Sequence, residues 1–245
     1  MSRVKLIIEY DGTAYCGWQH QQNGLSVQQV LEGAIEKASG AFSRVTGSSR
    51  TDAGVHALCQ TAHFDTESTI PPEKWCYVLN TILPPDIRVT KSEQAADDFH
   101  ARFSARGKRY RYLITNAFSA GAIDYRTHWH VPGKLDINLM KQACADIKGT
   151  HDFAAFCAAG GSQKTTIRTV YEAEISQAGN EISFEISGNA FLYNMVRILV
   201  GTLVDIGKGR LSPSAIKDAF ENTDRRLAGE TAPPQGLCLM NVFYE

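Results

Sequence analysis

The sequence predicts an α+β fold with a largely antiparallel sheet, built as two loosely similar halves that meet near residue 105. Two observations carry this. Strand-like alternation recurs in 4–10, 58–64, 103–116 and 166–187, and helical spacing falls between these runs without regular β-α alternation. The order strand-helix-strands-helix-strand in the first half is echoed in the second by strand-helix-hairpin-helix-helix-strand. The expected domains are 1–105 and 106–245.

Each element has its own signal. The strand at 4–10 ends at the turn pair Asp11-Gly12. Ser26 is placed to cap a helix whose apolar residues Val27, Val30, Leu31, Ala34 and Ile35 keep helical spacing. The stretch GSSRTDAGVHA, 47–57, lies between Val45 and the alternating run, so it reads as a loop joining two strands. Pro71-Pro72 opens a helix to about Leu83, and 87–95 reads as a strand. Asp136 or a neighbour starts a helix that runs to Lys148 and stops at Gly149. A hairpin turns at Ala178-Gly179-Asn180 and is followed by an apolar helix over 190–206. Ser212-Pro213 begins a short helix, and 237–244 closes the chain as a strand.

Composition narrows the class. The chain has 245 residues, 43% hydrophobic and 21% charged, with a formal net charge of −1. These are ordinary values for a soluble globular protein, so any nucleic-acid contact must come from a local basic surface. None of the six cysteines forms a CxxC pair, which fits reduced thiols in the cytoplasm better than a zinc site or a redox couple. The first residues meet a charge too early for a signal peptide, and the run 190–204 is interrupted by Asn194 and Arg197, so no membrane association is expected.

Two constellations carry chemistry. HARFSARGKRYRYLI holds Arg102, Arg106, Lys108, Arg109 and Arg111 with no acid among them. In a strand, Lys108, Tyr110 and Tyr112 share one face and Arg109 and Arg111 the other. Cations interleaved with aromatics suit RNA, although a solvated basic edge strand has the same pattern. In NAFLYNMVRILVGTLV the only formal charge is Arg197, on a helix apolar nearly all round. A guanidinium there needs a carboxylate or a lined cavity, or else must snorkel to the surface. Asp52, set among small and apolar residues, is the acid that fits, as a nucleophile or as a structural ion pair.

Other motifs are weaker. His128-x-His130 lacks a third metal ligand by spacing and reads as surface. GGSQKT, 160–165, lacks the leading glycine of a phosphate loop and reads as a basic loop contributing Lys164. GxGxxG is absent.

Five stretches together resemble a known family: YDGTAYCGWQHQ, SSRTDAGVHALCQTAHF, DDFHARFSARGKRYRY, NAFLYNMVRILVG and the late GLCL. The chain resembles, over nearly its whole length, the tRNA pseudouridine synthases of the anticodon stem-loop type (the TruA family). That resemblance implies isomerisation of uridine to pseudouridine at positions 38, 39 and 40 of tRNA, with no metal and no organic cofactor. It implies two ferredoxin-like halves sharing one continuous sheet, with helices on one side and an active-site cleft between the domains. A homodimer is implied, with one tRNA touching both subunits. Residue by residue, it makes Asp52 catalytic, Arg50 a support for the extruded base, Tyr110 a packing partner of the target uracil, Arg197 the partner of Asp52 and Leu237 a pocket residue. Arg106, Lys108, Arg109, Arg111 and Lys164 are then the candidate contacts to the RNA backbone. One departure stands out: Ser49 occupies a position where many members have glycine, so a need for positive φ there would strain it. Two other classes share parts of the pattern. A non-catalytic RNA-binding module needs only the basic strand, and a retaining glycosidase needs a second carboxylate that the RTD segment lacks.

Overall fold

The computed structural model of the chain describes residues 1–22, 24–160 and 164–244. It is α+β with mostly antiparallel strands and divides into two compact units, Met1–Arg106 with the residues from Cys238 onward, and Gly107–Leu237.

In the first unit, β1 (Ser2–Tyr10), α1 (Val27–Ser39), β2 (Thr46–Gly47), β3 (His56–Thr66), α2 (Trp75–Asn80) and β4 (Ile87–Gln94) follow in order. β4, β1 and β3 lie side by side, all antiparallel, and the short β2 pairs with β3. In chain order that is the 4-1-3-2 arrangement of a ferredoxin-like half. Ser26 caps α1 with a full capping box, its side chain accepting from Gln29 N while the Gln29 side chain accepts from Ser26 N. α1 buries Val27, Leu31, Ala34 and Ile35 as the spacing predicts. The predicted second helix is shorter than expected: Pro72–Lys74 forms a 3₁₀ turn and only Trp75–Asn80 is α-helical. Proline has no N–H to donate, and the Pro84-Pro85 pair stops any extension.

The second unit contains β5 (Gly107–Thr115), β6 (Trp129–His130), α3 (Ile137–Ala145), β7 (Gly149–Asp152), β8 (Ile167–Ala178), β9 (Glu181–Gly188), α4 (Met195–Gly207) and α5 (Ala215–Asn222). β5, β9 and β8 are successive antiparallel neighbours, the 1-3-2 portion of the same pattern. Asp136 caps α3, accepting from Asn138 N and Leu139 N. The last strand, β10 (Leu237–Phe243), departs from the expected division. It pairs in parallel with β3, Cys238 opposite His56, and the residues from Cys238 onward group with the first unit.

The long apolar helix also starts later than its pattern predicts. Asn194 sits in the left-handed region, φ 59°, and turns the chain into Met195, so 190–194 is a loop. Within α4 every residue but Arg197 is buried. Among the described residues, no helix is long and apolar enough to cross a membrane.

Candidate active site

The loop carrying Asp52 is held from below by the segment that follows β1. Tyr10 Oη and Thr51 Oγ1 are 2.7 Å apart and buried. Trp18 N donates to Thr51 O at 3.1 Å, and Gly54 N donates to Tyr15 O at 3.3 Å. Gly12 N donates to His56 Nδ1 at 3.1 Å, one strand residue beyond the loop. Val55 N then closes a turn on Asp52 O at 3.1 Å, with Gly54 in the left-handed conformation at φ 78°. Asp52 is half-buried at the head of this turn, beside exposed Arg50.

Two glycines allow the approach. A Cβ on Gly17, φ +104°, would stand 2.5 Å from Thr51 O, and one on Gly12 would stand 2.0 Å from Val55 O. The two stretches YDGTAYCGW and SSRTDAGVHA are therefore the two sides of one packed contact. Sequence reading does not find Tyr10, Gly12, Gly17 and Thr51 as positioning residues, because their partners lie about forty residues away along the chain.

The start of the loop is fixed by Gln60, which is fully buried on β3. Its Oε1 accepts from Ser48 Oγ at 2.7 Å and Ser49 N at 3.2 Å, and its Nε2 donates to Ser49 O at 2.7 Å. Ser49 is not strained. Among the described residues the non-glycine positions with positive φ are Asn194 and Thr223, so serine sits at 49 in an ordinary conformation.

In the second unit Tyr110 is buried on β5, opposite Ile186 of β9, with its ring edge-on to Phe191 at 5.1 Å. Tyr112, two residues along the same face, is wholly buried, and its hydroxyl donates to Pro233 O at 2.7 Å. Burial pushes that phenol far above its usual value, so it stays a neutral donor. Gly236 lies against the Tyr112 ring, where a Cβ would come within 2.5 Å, and this close approach seats Leu237, itself buried.

Arg197 is half-buried on α4. Its Nε donates to Ala232 O at 2.7 Å, and its Nη1 donates to Asn194 Oδ1 at 2.7 Å. The left-handed turn at Asn194 that delays the helix thus also supplies an oxygen that orients the guanidinium.

The basic strand is less uniformly basic in space than in sequence. Arg109 forms an ion pair with Glu172 at 2.8 Å, and Arg111 stands opposite Glu185 in the register of β5 and β9. Arg106 and Lys164 are exposed, and Lys108 is half-buried. Residues 161–163 of the GGSQKT stretch lie outside the described residues. His128 and His130 face different partners, Glu181 Oε2 at 3.1 Å and Ala117 O at 2.9 Å. Among the described residues no group of three His, Cys, Asp or Glu side chains is placed to hold a metal ion.

Comparison with known proteins agrees with these motifs. The family model described as tRNA pseudouridine synthase matches residues 6–104 and 143–245. A tRNA pseudouridine synthase A of Ruminiclostridium cellulolyticum is 49% identical over 245 residues, all of both chains. Proteins of the same name from Clostridium acetobutylicum and Geotalea daltonii are each 46% identical over 244 residues, again across the full length of both. Among solved structures, one chain of a Cbf5-Nop10-Gar1 complex aligns with 97% of this chain and 48% of its own length, at a TM-score of 0.41 and 14% identity. This chain spans about half of that one. With a family model matched along both units and close to half identity across whole relatives, the chain belongs to the tRNA pseudouridine synthase family.

Proposed function

We propose that the protein converts uridine to pseudouridine at positions 38, 39 and 40 of tRNA, in the anticodon stem-loop, with Asp52 as the catalytic residue. The observation that carries this reading is the bracing of the RTD turn. Backbone and side-chain hydrogen bonds from Tyr10, Tyr15, Trp18 and Gln60 fix the turn on which Asp52 stands. A carboxylate that must meet one atom of a base or sugar needs that kind of fixed support.

The reaction breaks the N1–C1′ bond, rotates the uracil and forms a C5–C1′ bond. No electrons are gained or lost and no water is added. One carboxylate serves by attacking C1′, by attacking C6, or by removing a sugar proton. The target nucleotide lies in a helical stem or loop and must be extruded, at a cost of a few kcal/mol. Arg50 supports the extruded base, and Tyr110 and Leu237 pack against the uracil. Arg197 supplies the positive charge for the catalytic step, and its bonds to Ala232 O and Asn194 Oδ1 orient the guanidinium.

Backbone contacts fall to Arg106, Lys108 and Lys164, together with Arg109, which also pairs with Glu172, and Arg111, which stands opposite Glu185 in the β5–β9 register. The enzyme works in the cytoplasm as a homodimer, with one tRNA spanning both subunits.

The test is Asp52→Asn assayed by tritium release from tRNA labelled at uracil C5. The variant is expected to bind tRNA normally and to release no tritium. Release within a few-fold of the unsubstituted enzyme defeats the assignment of Asp52.

A further inference from the structure

Ahead of β5, the loop 100–104 displays two side chains that neither the core nor the proposed catalytic residues use. Phe103 is 76% exposed, and the Arg102 guanidinium lies over its ring, 5.7 Å from the centroid. The ring therefore offers a flat apolar face to solvent with a cation beside it.

The loop beneath is closely hydrogen-bonded. Ala101, fully buried, donates through its N–H to His63 Nδ1 at 3.1 Å, and its carbonyl accepts from Tyr244 Oη at 2.7 Å. The next two amides, Arg102 N and Phe103 N, both donate to His100 Nδ1 at 3.2 Å. Ser104 Oγ accepts from His100 N at 3.0 Å, and Ser104 N returns to His100 O at 2.9 Å. The Phe103 ring also leans on the His100 ring, with centroids 4.3 Å apart and planes 31° apart, and His100 in turn meets buried His63 edge-on at 5.0 Å. An exposed ring is thus backed by a column of rings running into the core, and its backbone is pinned at every residue.

We propose that Phe103 and Arg102 form a contact for the RNA substrate, Phe103 stacking on an unpaired base and Arg102 meeting a neighbouring phosphate. A pre-positioned aromatic face with a cation beside it is the combination that holds single-stranded nucleic acid, because every base offers a flat surface and every nucleotide a phosphate. Charge on the segment favours this partner. Arg106 is exposed a few residues on, while Asp97 and Asp98, at the other end, act on the Arg3 guanidinium. The inference rests on the reading of the protein as a tRNA-modifying enzyme and assigns that enzyme a substrate contact outside the catalytic loop.

The test measures the affinity of the full chain for an unmodified tRNA transcript by fluorescence anisotropy, over a range of salt. Phe103→Ala is expected to weaken binding about tenfold, with an unchanged unfolding midpoint, and Phe103→Trp is expected to restore it. Arg102→Gln is expected to reduce the slope of log affinity against log salt by about one.

Wild-type affinity in Phe103→Ala overturns the proposal, and so does a loss of affinity that tracks a fall in unfolding midpoint and is not rescued by tryptophan. Loss of self-association in sedimentation with unchanged tRNA binding assigns the patch to a second copy of the chain instead, and also overturns it. Failure of the unsubstituted protein to bind or modify tRNA at all is a different result, which strikes the proposed function itself.

Discussion

Replacing Gly17 by alanine tests how the catalytic loop is positioned, because two separate costs meet at that residue. Its φ of +104° is unfavourable for any L side chain, by roughly 1–2 kcal/mol. The new Cβ would also stand 2.5 Å from Thr51 O and 3.1 Å from the carbonyl carbon of Asp52. Those atoms are backbone, so the RTD turn itself must shift, stretching the Trp18 N to Thr51 O hydrogen bond at a further cost of about 1 kcal/mol. The sum, about 2–3 kcal/mol, lowers the unfolding midpoint by roughly 4–12 °C in a chain of this size. Gly40→Ala isolates the first cost, since Gly40 has φ +75° with open space around it. Gly12→Ala isolates the second, placing a Cβ against Val55 O without a positive φ. Thermal unfolding of the three variants, with pseudouridine formation measured at a temperature where all are folded, separates strain from displacement. Gly17→Ala and Gly12→Ala are expected to lose about a hundredfold in kcat/KM, the scale of an ångström's misplacement, and Gly40→Ala is expected to keep its activity. If Gly17→Ala unfolds like Gly40→Ala and retains turnover within twofold, the loop is not held by this contact.

Arg197→Met removes the donors to Ala232 O and Asn194 Oδ1 from a helix otherwise buried, and is expected to cost about 2 kcal/mol together with nearly all activity. An unfolding midpoint and turnover equal to those of the unsubstituted protein would contradict both roles. His63 gives a pH signature. Burial first, then the charges of Arg3 and His100, push its pKa from the ordinary 6.5 down to about 4. Above pH 6.5 neither state holds the proton. Between 6.5 and 4 the unfolded chain takes it up and the folded chain does not, so stability falls by at most about 3 kcal/mol over that window. Urea unfolding of His63→Gln across the same range should show a slope shallower by about one proton, and an identical slope refutes the assignment.

Much of the fold was legible because periodicity is local. The capping box at Ser26, the Asp136 cap and the hairpin turning at Gly179 depend on residues within a few positions of one another, and each stands where its pattern predicts. Departures occur where distant or conformational facts decide. Apolar spacing continues through 190–194, yet Asn194 adopts a left-handed turn that no hydrophobic pattern encodes. The closing strand reads as the end of the second half until its pairing with β3 is seen. Arg109 reads as an open cation because Glu172, which neutralises it, lies 63 residues away. At the candidate site, Asp52 and Arg197 were legible as residues out of place, a carboxylate among small neighbours and a charge on an apolar helix. The scaffold of Tyr10, Gly12, Gly17 and Gln60 was not, since its meaning lies in contacts rather than in residue type.

Isomerisation of uridine in the anticodon stem-loop is checked by mapping pseudouridine in an unmodified tRNA transcript after incubation with the purified protein alone, by mass spectrometry of nuclease fragments. Pseudouridine is expected at whichever of positions 38, 39 and 40 carry uridine, and none with Asp52→Asn. A transcript left unmodified at those uridines, or modified equally well by the Asp52→Asn protein, would contradict it.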